Sequence, residues 1–391
     1  MNKRLVIFFL NHVLRYFFIL AFLTMIYSCG PSDSEKIVEG EKYVPELVIR
    51  DSIVIDRLTK PTMVDVKPDH SEFLFYDFKT SEFFRISKSG ENLKTADLTG
   101  DGKNSIQAGY FVGAKYAKDD KILILTLSGI YEYDLGFTLI NKVTNSFELI
   151  TRIVGGSKSF DTFKDYLYTF SVEEKDRSTI YQSEKFSNSY PFITIRDLTT
   201  YAIITSDSVP GESLMAKNPG FYTLLDPIVK FRKGELYMVF PNSPEMYVYD
   251  LPSLNLKDQW ELEPGDTYKL AEPTEPMDPR GFILSMGSGV YKDFTFSNDY
   301  LVTIYQNAIP TDELELITPE NISSDKSKEI MKKYWAQPNY QIFKGKDKVW
   351  EGQWDIKLSM LRDVIFAFSK PGEDPDAFEK DMQTIYLYEL K

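Results

Sequence analysis

Four segments decide the fold: IYEYDL at 130–135, ITIRDL at 193–198, MYVYDL at 246–251 and IYLYEL at 385–390. In each, apolar and polar side chains alternate with a period of two, the signature of a half-buried β-strand. FFRIS (83–87) and YQIFKG (340–345) are degenerate copies. A more apolar run precedes each copy: EFLFYDF (72–78), KILILTL (121–127), DYLYTF (165–170), GELYMVF (234–240), DYLVTIY (299–305) and DVIFAF (363–368). Continuous apolar runs bounded by turns suit strands buried on both faces.

A glycine turn recurs with the same rhythm, in LTGDGKNS (98–105), IVGGSKS (153–159), VPGESL (209–214) and EPGDTY (263–268). Gly100, Gly155, Gly211 and Gly265 are spaced by 55, 56 and 54 residues, and Gly352 in WEGQWD follows after 87. These glycines are expected to supply turns with positive φ. Composition agrees with an all-β chain: 28 Phe, 25 Tyr and 4 Trp make 15% aromatics, against 12 Ala. Aromatics favour pleated sheets, and alanine is the best helix former.

Six such strand pairs, each completed by an inner and an outer strand, predict a six-bladed β-propeller of four-stranded blades. Strands run a to d from the axis outward; the IYEYDL type is c, and the glycine turn leads from d to the next a. The copy at 385–390 ends the chain without an outer strand, while ELVIRDSIVID (46–56) precedes the first blade as a spare. Pairing the two closes the ring and removes a loose edge. A seven-bladed alternative needs a further blade hidden within 266–351.

Residues 1–28 carry Lys3, Arg4 and Arg15, no acid, and an apolar run from Tyr16 to Tyr27. That run is too short for a spanning helix and fits a signal peptide. Ser28–Cys29–Gly30 then resembles the lipobox of bacterial lipoproteins, in which the cysteine becomes the lipidated first residue. Cys29 is the only cysteine, and acylation accounts for an otherwise odd thiol in an exported chain. Loss of residues 1–28 takes the formal charge from −13 to −16. Residues 29–45 read as a flexible tether and 46–391 as the propeller domain. The resulting address is the outer membrane, on the cell surface or the periplasmic side. Together, lipobox, GDGKNS-type turns and MYVYDL-type strands resemble the uncharacterised six-bladed propeller lipoproteins of Bacteroidota. That group carries over no catalytic residues.

The remaining composition excludes several activities. One Cys and two His exclude zinc fingers, disulfide frameworks, haem attachment and His-cluster metal sites. So acidic a chain is a poor nucleic-acid binder. His70 lies in a turn between strands a and b, and no G-x-S-x-G elbow accompanies it. GSG at 287–289 lacks the Lys and Ser/Thr of a phosphate loop.

The b–c connections at 171–191, 306–338 and 369–383 are long and share one face of the ring, where binding usually resides. SSDKSKEIMKKYW (323–335) predicts one short helix capped by Ser323 or Ser324. Trp335, Trp350 and Trp354 are candidates for an exposed aromatic platform. The strand-c tyrosines are assigned to packing. Glu373, Asp374 and Asp376, with Glu379 and Asp381, form a carboxylate cluster of a kind that can bind Ca²⁺, and Asp101 and Asn104 offer a sparser set. A solvated turn is the simpler reading of both, so no cofactor is required.

The expected function is a non-catalytic binding or scaffold propeller, membrane-anchored through lipid, for a protein partner or a glycan. It would act as a monomer or within a hetero-complex. The alternative is a carboxylate- or Ca²⁺-dependent polysaccharide hydrolase or lyase. Cys29→Ser is expected to move the protein from the detergent phase to the aqueous phase on partitioning. Continued membrane retention would identify residues 1–28 as an uncleaved anchor.

Overall fold

The computed structural model describes residues 45–106, 111–150, 158–176, 189–222, 225–275, 278–372 and 382–391. Cys29, the tether before residue 45, Gly155 and the acidic loop residues Glu373, Asp374 and Asp376 lie outside them.

Six antiparallel blades form a β-propeller. Blade one is β2 (Thr62–Val66), β3 (Glu72–Asp77), β4 (Glu82–Ser87) and β5 (Asn92–Asp97). Blade two is β6 (Phe111–Ala117), β7 (Lys121–Thr126), β8 (Gly129–Asp134) and β9 (Leu139–Thr144). Blade three is β11 (Phe160–Phe163), β12 (Tyr166–Glu173), β13 (Ile193–Asp197) and β14 (Ile203–Asp207), with β10 (Phe147–Leu149) extending the inner edge of β12. Blade four is β15 (Ile228–Arg232), β16 (Glu235–Val239), β17 (Glu245–Asp250) and β18 (Asn255–Glu261). Blade five is β19 (Val290–Ser297), β20 (Tyr300–Gln306), β21 (Asn339–Lys344) and β22 (Asp347–Gly352). Blade six is β23 (Ser359–Leu361), β24 (Val364–Ala367) and β25 (Gln383–Leu390), with β1 (Leu47–Ile55) as its outer strand.

The closure expected from the two ends of the chain is therefore present. β1 pairs with β25 from Leu47↔Leu390 to Ile55↔Gln383. The long 266–351 span holds helices in place of a seventh blade.

The core is a set of layers between neighbouring blades. Leu74, Phe83, Ile122 and Tyr131 join blades one and two. Phe170, Ile193, Met238 and Tyr247 join three and four, and Ile53, Phe73, Phe84 and Ile385 join six and one. One expectation fails here. The alternating strands are not half-buried: β8, β13 and β17 are covered on both faces apart from their last residue. A blade between two blades has no wet face, so the polar members of the alternation must find partners inside. Arg196, 1% exposed, lies 4.0 Å over Phe147 and ion-pairs Glu173, and Tyr201 donates to Glu132 of the preceding blade. The solvated strands are the outer ones, such as β5 and β9.

The acid that closes the repeat motif has a local cause. Asp134 Oδ1 accepts from the N–H groups of Gly136 and Thr138, both at 2.8 Å, and Asp197 Oδ1 accepts from Thr199 and Thr200 at 3.1 and 2.7 Å. These are side-chain-capped turns between strands c and d. The glycine turns are less uniform than expected. Gly100 has φ 82°, whereas Gly265 gives room for a close side-chain approach. A Cβ there would lie 2.5 Å from Glu351 Oε1, which accepts the Gly265 N–H at 2.7 Å.

Every described a–b and c–d connection is five residues or fewer, so length accumulates on the other face. There the described residues hold four helices where the sequence predicted one: α1 (Leu214–Lys217), α2 (Pro279–Gly287), α3 (Thr311–Leu314) and α4 (Asp325–Trp335). α4 is the predicted helix, capped by Ser324 Oγ accepting from Ser327 N at 3.2 Å. α2 begins at Asp278, whose carboxylate accepts from Arg280 N and Gly281 N. Ile283, Ile309, Leu314, Ile317 and Ile330 give these helices a small core of their own. Among the described residues no helix is long and apolar enough to cross a membrane.

Ile53→Ala in the closing strand should cost about 2–5 kcal/mol in urea unfolding. Ile49→Ala, at a 43% exposed position of the same strand, should stay within about 0.5 kcal/mol. Equal losses would contradict the register of the closure.

Candidate functional site: the charged channel and its helix-bearing mouth

Each blade contributes a charged side chain, from its inner strand or the turn after it, to a ring around the axis. In ring order they are Asp65, Lys115, Asp161, Lys230, Asp293 and Arg362. The signs alternate without a break. Lys115 Nζ stands 3.8 Å from Asp65 and 3.9 Å from Asp161. Lys230 is 3.4 Å from Asp293, and Arg362 Nη2 donates to Asp65 Oδ2 at 2.8 Å. Asp65 is fully buried and also accepts the Tyr116 N–H at 2.7 Å. Buried charges persist only when paired and hydrogen-bonded in this way.

Burial pushes the Asp293 carboxyl up, but Lys158 and Lys230 outweigh it and hold it below the usual carboxylate range. Burial dominates at Lys230 and lowers its ammonium. At Arg362 burial acts downward, yet Asp65 and Asp161 prevail and keep the guanidinium charged.

Two cavities meet at this ring, and Asp161 and Lys230 line both. The one on the short-loop face, about 640 Å³, is lined by Phe163, Phe231, Phe296, Lys164 and Arg232. His70 belongs to that face, as expected, with Nε2 2.7 Å from Asp363 Oδ1.

The other cavity, about 590 Å³, opens on the helix-bearing face. Its apolar wall includes Phe160, Trp335, Met360 and Phe368. Its polar wall adds Lys158, Lys292 and Lys357 to the ring residues Lys115, Asp161, Lys230 and Asp293. Lys158 Nζ donates to Asp293 Oδ2 at 2.8 Å and to the Lys292 carbonyl. Among the described residues the ammonium groups of Lys292 and Lys357 have no hydrogen bond or ion pair. A β-bulge between Tyr291 and Asp293 brings the adjacent Lys292 and Asp293 to the same cavity; re-aiming a side chain is what bulges do. Burial, then Lys158 and Lys357, push the Lys292 ammonium down to about 8.

Of the described residues singled out by sequence, only Trp335 is at this mouth. Its indole N–H is buried and lacks an acceptor among the described residues. Trp350 and Trp354 are no exposed platform. They stack on each other at 4.8 Å and 19°, and Trp354 packs on Tyr340 at 4.8 Å. Aromatic rings at the outer edge of a blade bury area on one another before they can offer it to a ligand. Asn104 is structural, its Oδ1 accepting Leu139 N at 3.1 Å and its carbonyl accepting the Tyr133 hydroxyl at 2.9 Å. Asp101 is an exposed turn residue. Among the described residues no three His, Cys, Asp or Glu are grouped to hold a metal.

The charge ring escaped the sequence reading because strands b and c were aligned and strand a was not. The signal was there: the charge in TMVDV, FVGAKYA, FDTF and IVKFR is of a single sign within each strand, and the sign alternates from blade to blade.

No protein-family model and no curated protein matches the sequence. Among solved structures, a member of the DUF4221 family from Bacteroides vulgatus aligns over 90% of this chain and 99% of its own, with TM-score 0.61 and 11% identity. A Bacteroides fragilis protein provisionally described as exported aligns over 90% and 96%, with TM-score 0.53 and 11% identity. BamB from Moraxella catarrhalis aligns over 88% and 100% at TM-score 0.41 and 9% identity, too loose to carry an argument. The resemblance drawn from the repeats thus holds for the fold: the chain is a six-bladed propeller similar in fold to proteins from Bacteroides.

Asp65→Ala should cost about 3–5 kcal/mol, because it strips the Arg362 guanidinium of its ion-pair partner in the channel. Combined with Arg362→Met, the loss should fall well short of the sum of the single losses in a urea double-mutant cycle. Simple additivity would show that the ring charges are not coupled.

Proposed function

We propose that the protein is a non-catalytic, extracytoplasmic binding propeller, lipid-anchored through Cys29 at the outer membrane. It would hold a protein partner or a glycan at the helix-bearing mouth of its channel. One observation carries the reading: all four described helices lie in connections of the same face, and one of them, α4, lines through Trp335 a cavity whose two carboxylates are both occupied by lysines. Rigid blades with elaborated loops at one end are the usual construction of a binding site.

The same observation weighs against the polysaccharide hydrolase or lyase. General acid catalysis needs a carboxyl with a raised pKa near a second, free carboxylate. Asp293 is shifted the opposite way. The basic and apolar N-terminus followed by Ser28–Cys29 supports export and lipidation. The fold shared with a Bacteroides fragilis protein provisionally described as exported is in keeping with that address.

A photo-crosslinking residue placed at Trp335 in intact cells is expected to give discrete adducts. The same residue at Leu93, exposed on outer strand β5, is expected to give none. Equal labelling, or none at Trp335, would overturn the proposal.

A further inference from the structure

We propose that the helix-bearing mouth is a site for an organic oxyanion, a carboxylate, sulfate or phosphate group carried on a sugar-sized body, seated against Lys292 and Lys357. The inference rests on the binding reading above and names the chemistry of its ligand.

Three observations carry it. The first is charge balance. The six-membered ring is neutral by itself, so Lys158, Lys292 and Lys357 are a cationic surplus, in a chain whose formal charge is −13. Lys158 is engaged by Asp293. The surplus therefore concentrates on Lys292 and Lys357, whose ammonium groups have no acceptor among the described residues. The second is placement. Lys292 stands on a bulge that turns it into the same cavity as Asp293, whereas a regular strand would send these neighbours to opposite faces. The third is the opposite wall. Trp335, Phe368 and Met360 give the cavity an apolar side, and about 590 Å³ is room for more than a bare ion.

Lys292 and Lys357 are both exposed at the mouth, and like charges held close together there repel one another in the empty protein. An incoming oxyanion relieves that repulsion and takes charge-assisted hydrogen bonds from the ammonium groups. The charged groups that line the cavity with Lys292 are Lys158 before β11, Lys357 before β23, Lys115 on β6, Lys230 on β15, Asp161 on β11 and the adjacent Asp293. Both acids already have lysine partners, Asp161 in Lys115 and Asp293 in Lys158 and Lys230. The Lys292 ammonium is lowered to about 8. Affinity for an oxyanion should therefore fall as pH rises through that value, and fall with added salt.

The test is calorimetric titration of the full soluble chain with a glucuronate-containing disaccharide, a sulfated disaccharide, inorganic sulfate, inorganic phosphate and a neutral disaccharide of equal size. The charged disaccharides are expected to bind and the neutral one not to. Lys292→Gln and Lys357→Gln should each weaken binding on the order of tenfold, with Lys94→Gln on the outer strand as an inert control. Lys292→Gln should also raise Tm, because it removes an uncompensated cation, so lost binding cannot be ascribed to misfolding. Inorganic sulfate or phosphate binding as tightly as the sugar acids would overturn the organic half of the proposal and leave a simple oxyanion site. Equal binding of the neutral sugar, no binding of any anion by the unmodified protein, or a fall in Tm with Lys292→Gln would overturn it altogether. If crosslinking at Trp335 persists while the anions fail, the binding propeller stands and the ligand chemistry does not.

Discussion

The pairing of β1 with β25 is the constraint on which the rest of the molecule depends. A propeller blade does not own a core; it shares one with each neighbour. Open the ring between blades six and one, and Phe73, Phe84, Val364 and Ile385, now in one buried layer with Ile53 and Ile55, all become wet. The driving force for closure is removal of that apolar area from water. The antiparallel ladder from Leu47↔Leu390 to Ile55↔Gln383 sets the register. It also means that the first and last described strands of the chain are hydrogen-bonded neighbours.

Closure creates an axis, and the axis imposes its own rule. Six inner strands converge where water is scarce, and each carries a polar group that must be matched. Alternating Asp65, Lys115, Asp161, Lys230, Asp293 and Arg362 gives every charge an opposite partner on at least one side. Strict alternation is possible only in a ring with an even number of blades, so the charge pattern and the blade count support each other. Lys158, Lys292 and Lys357 stand outside this balance, at the end where the helices gather. The separation is physical: the ring is spent on holding the channel together, while two of the three extra lysines keep uncommitted ammonium groups.

Much of this was legible before any coordinates. Strand type, blade order, the spare strand and the long-loop face all follow from local periodicity, which the repeat reports six times over. The errors share a cause. MYVYDL alternates like a half-buried strand, yet Tyr247 and Tyr249 are both fully covered, because burial depends on what lies beyond the blade. Trp350 and Trp354 resembled a platform because their sequence neighbours are polar, but they stack on each other. Gly265 does stand at a turn, but its N–H is also bound by Glu351, a partner 86 residues away.

The amino-acid sequence by itself determined the blades: alternation, apolar runs and turn residues act within a few positions of one another, and a strand's pattern survives wherever the strand is placed. It also determined that charge is scarce and regularly placed in the inner strands. Only the tertiary structure decided which of those charges neutralise one another and which are left over. Asp65 and Arg362 are 297 positions apart and meet because the ring closes; Lys292 and Lys357 find no such partner among the described residues. Electrostatic partnership is fixed by distance in space, and a closed ring makes neighbours of residues that the chain keeps far apart.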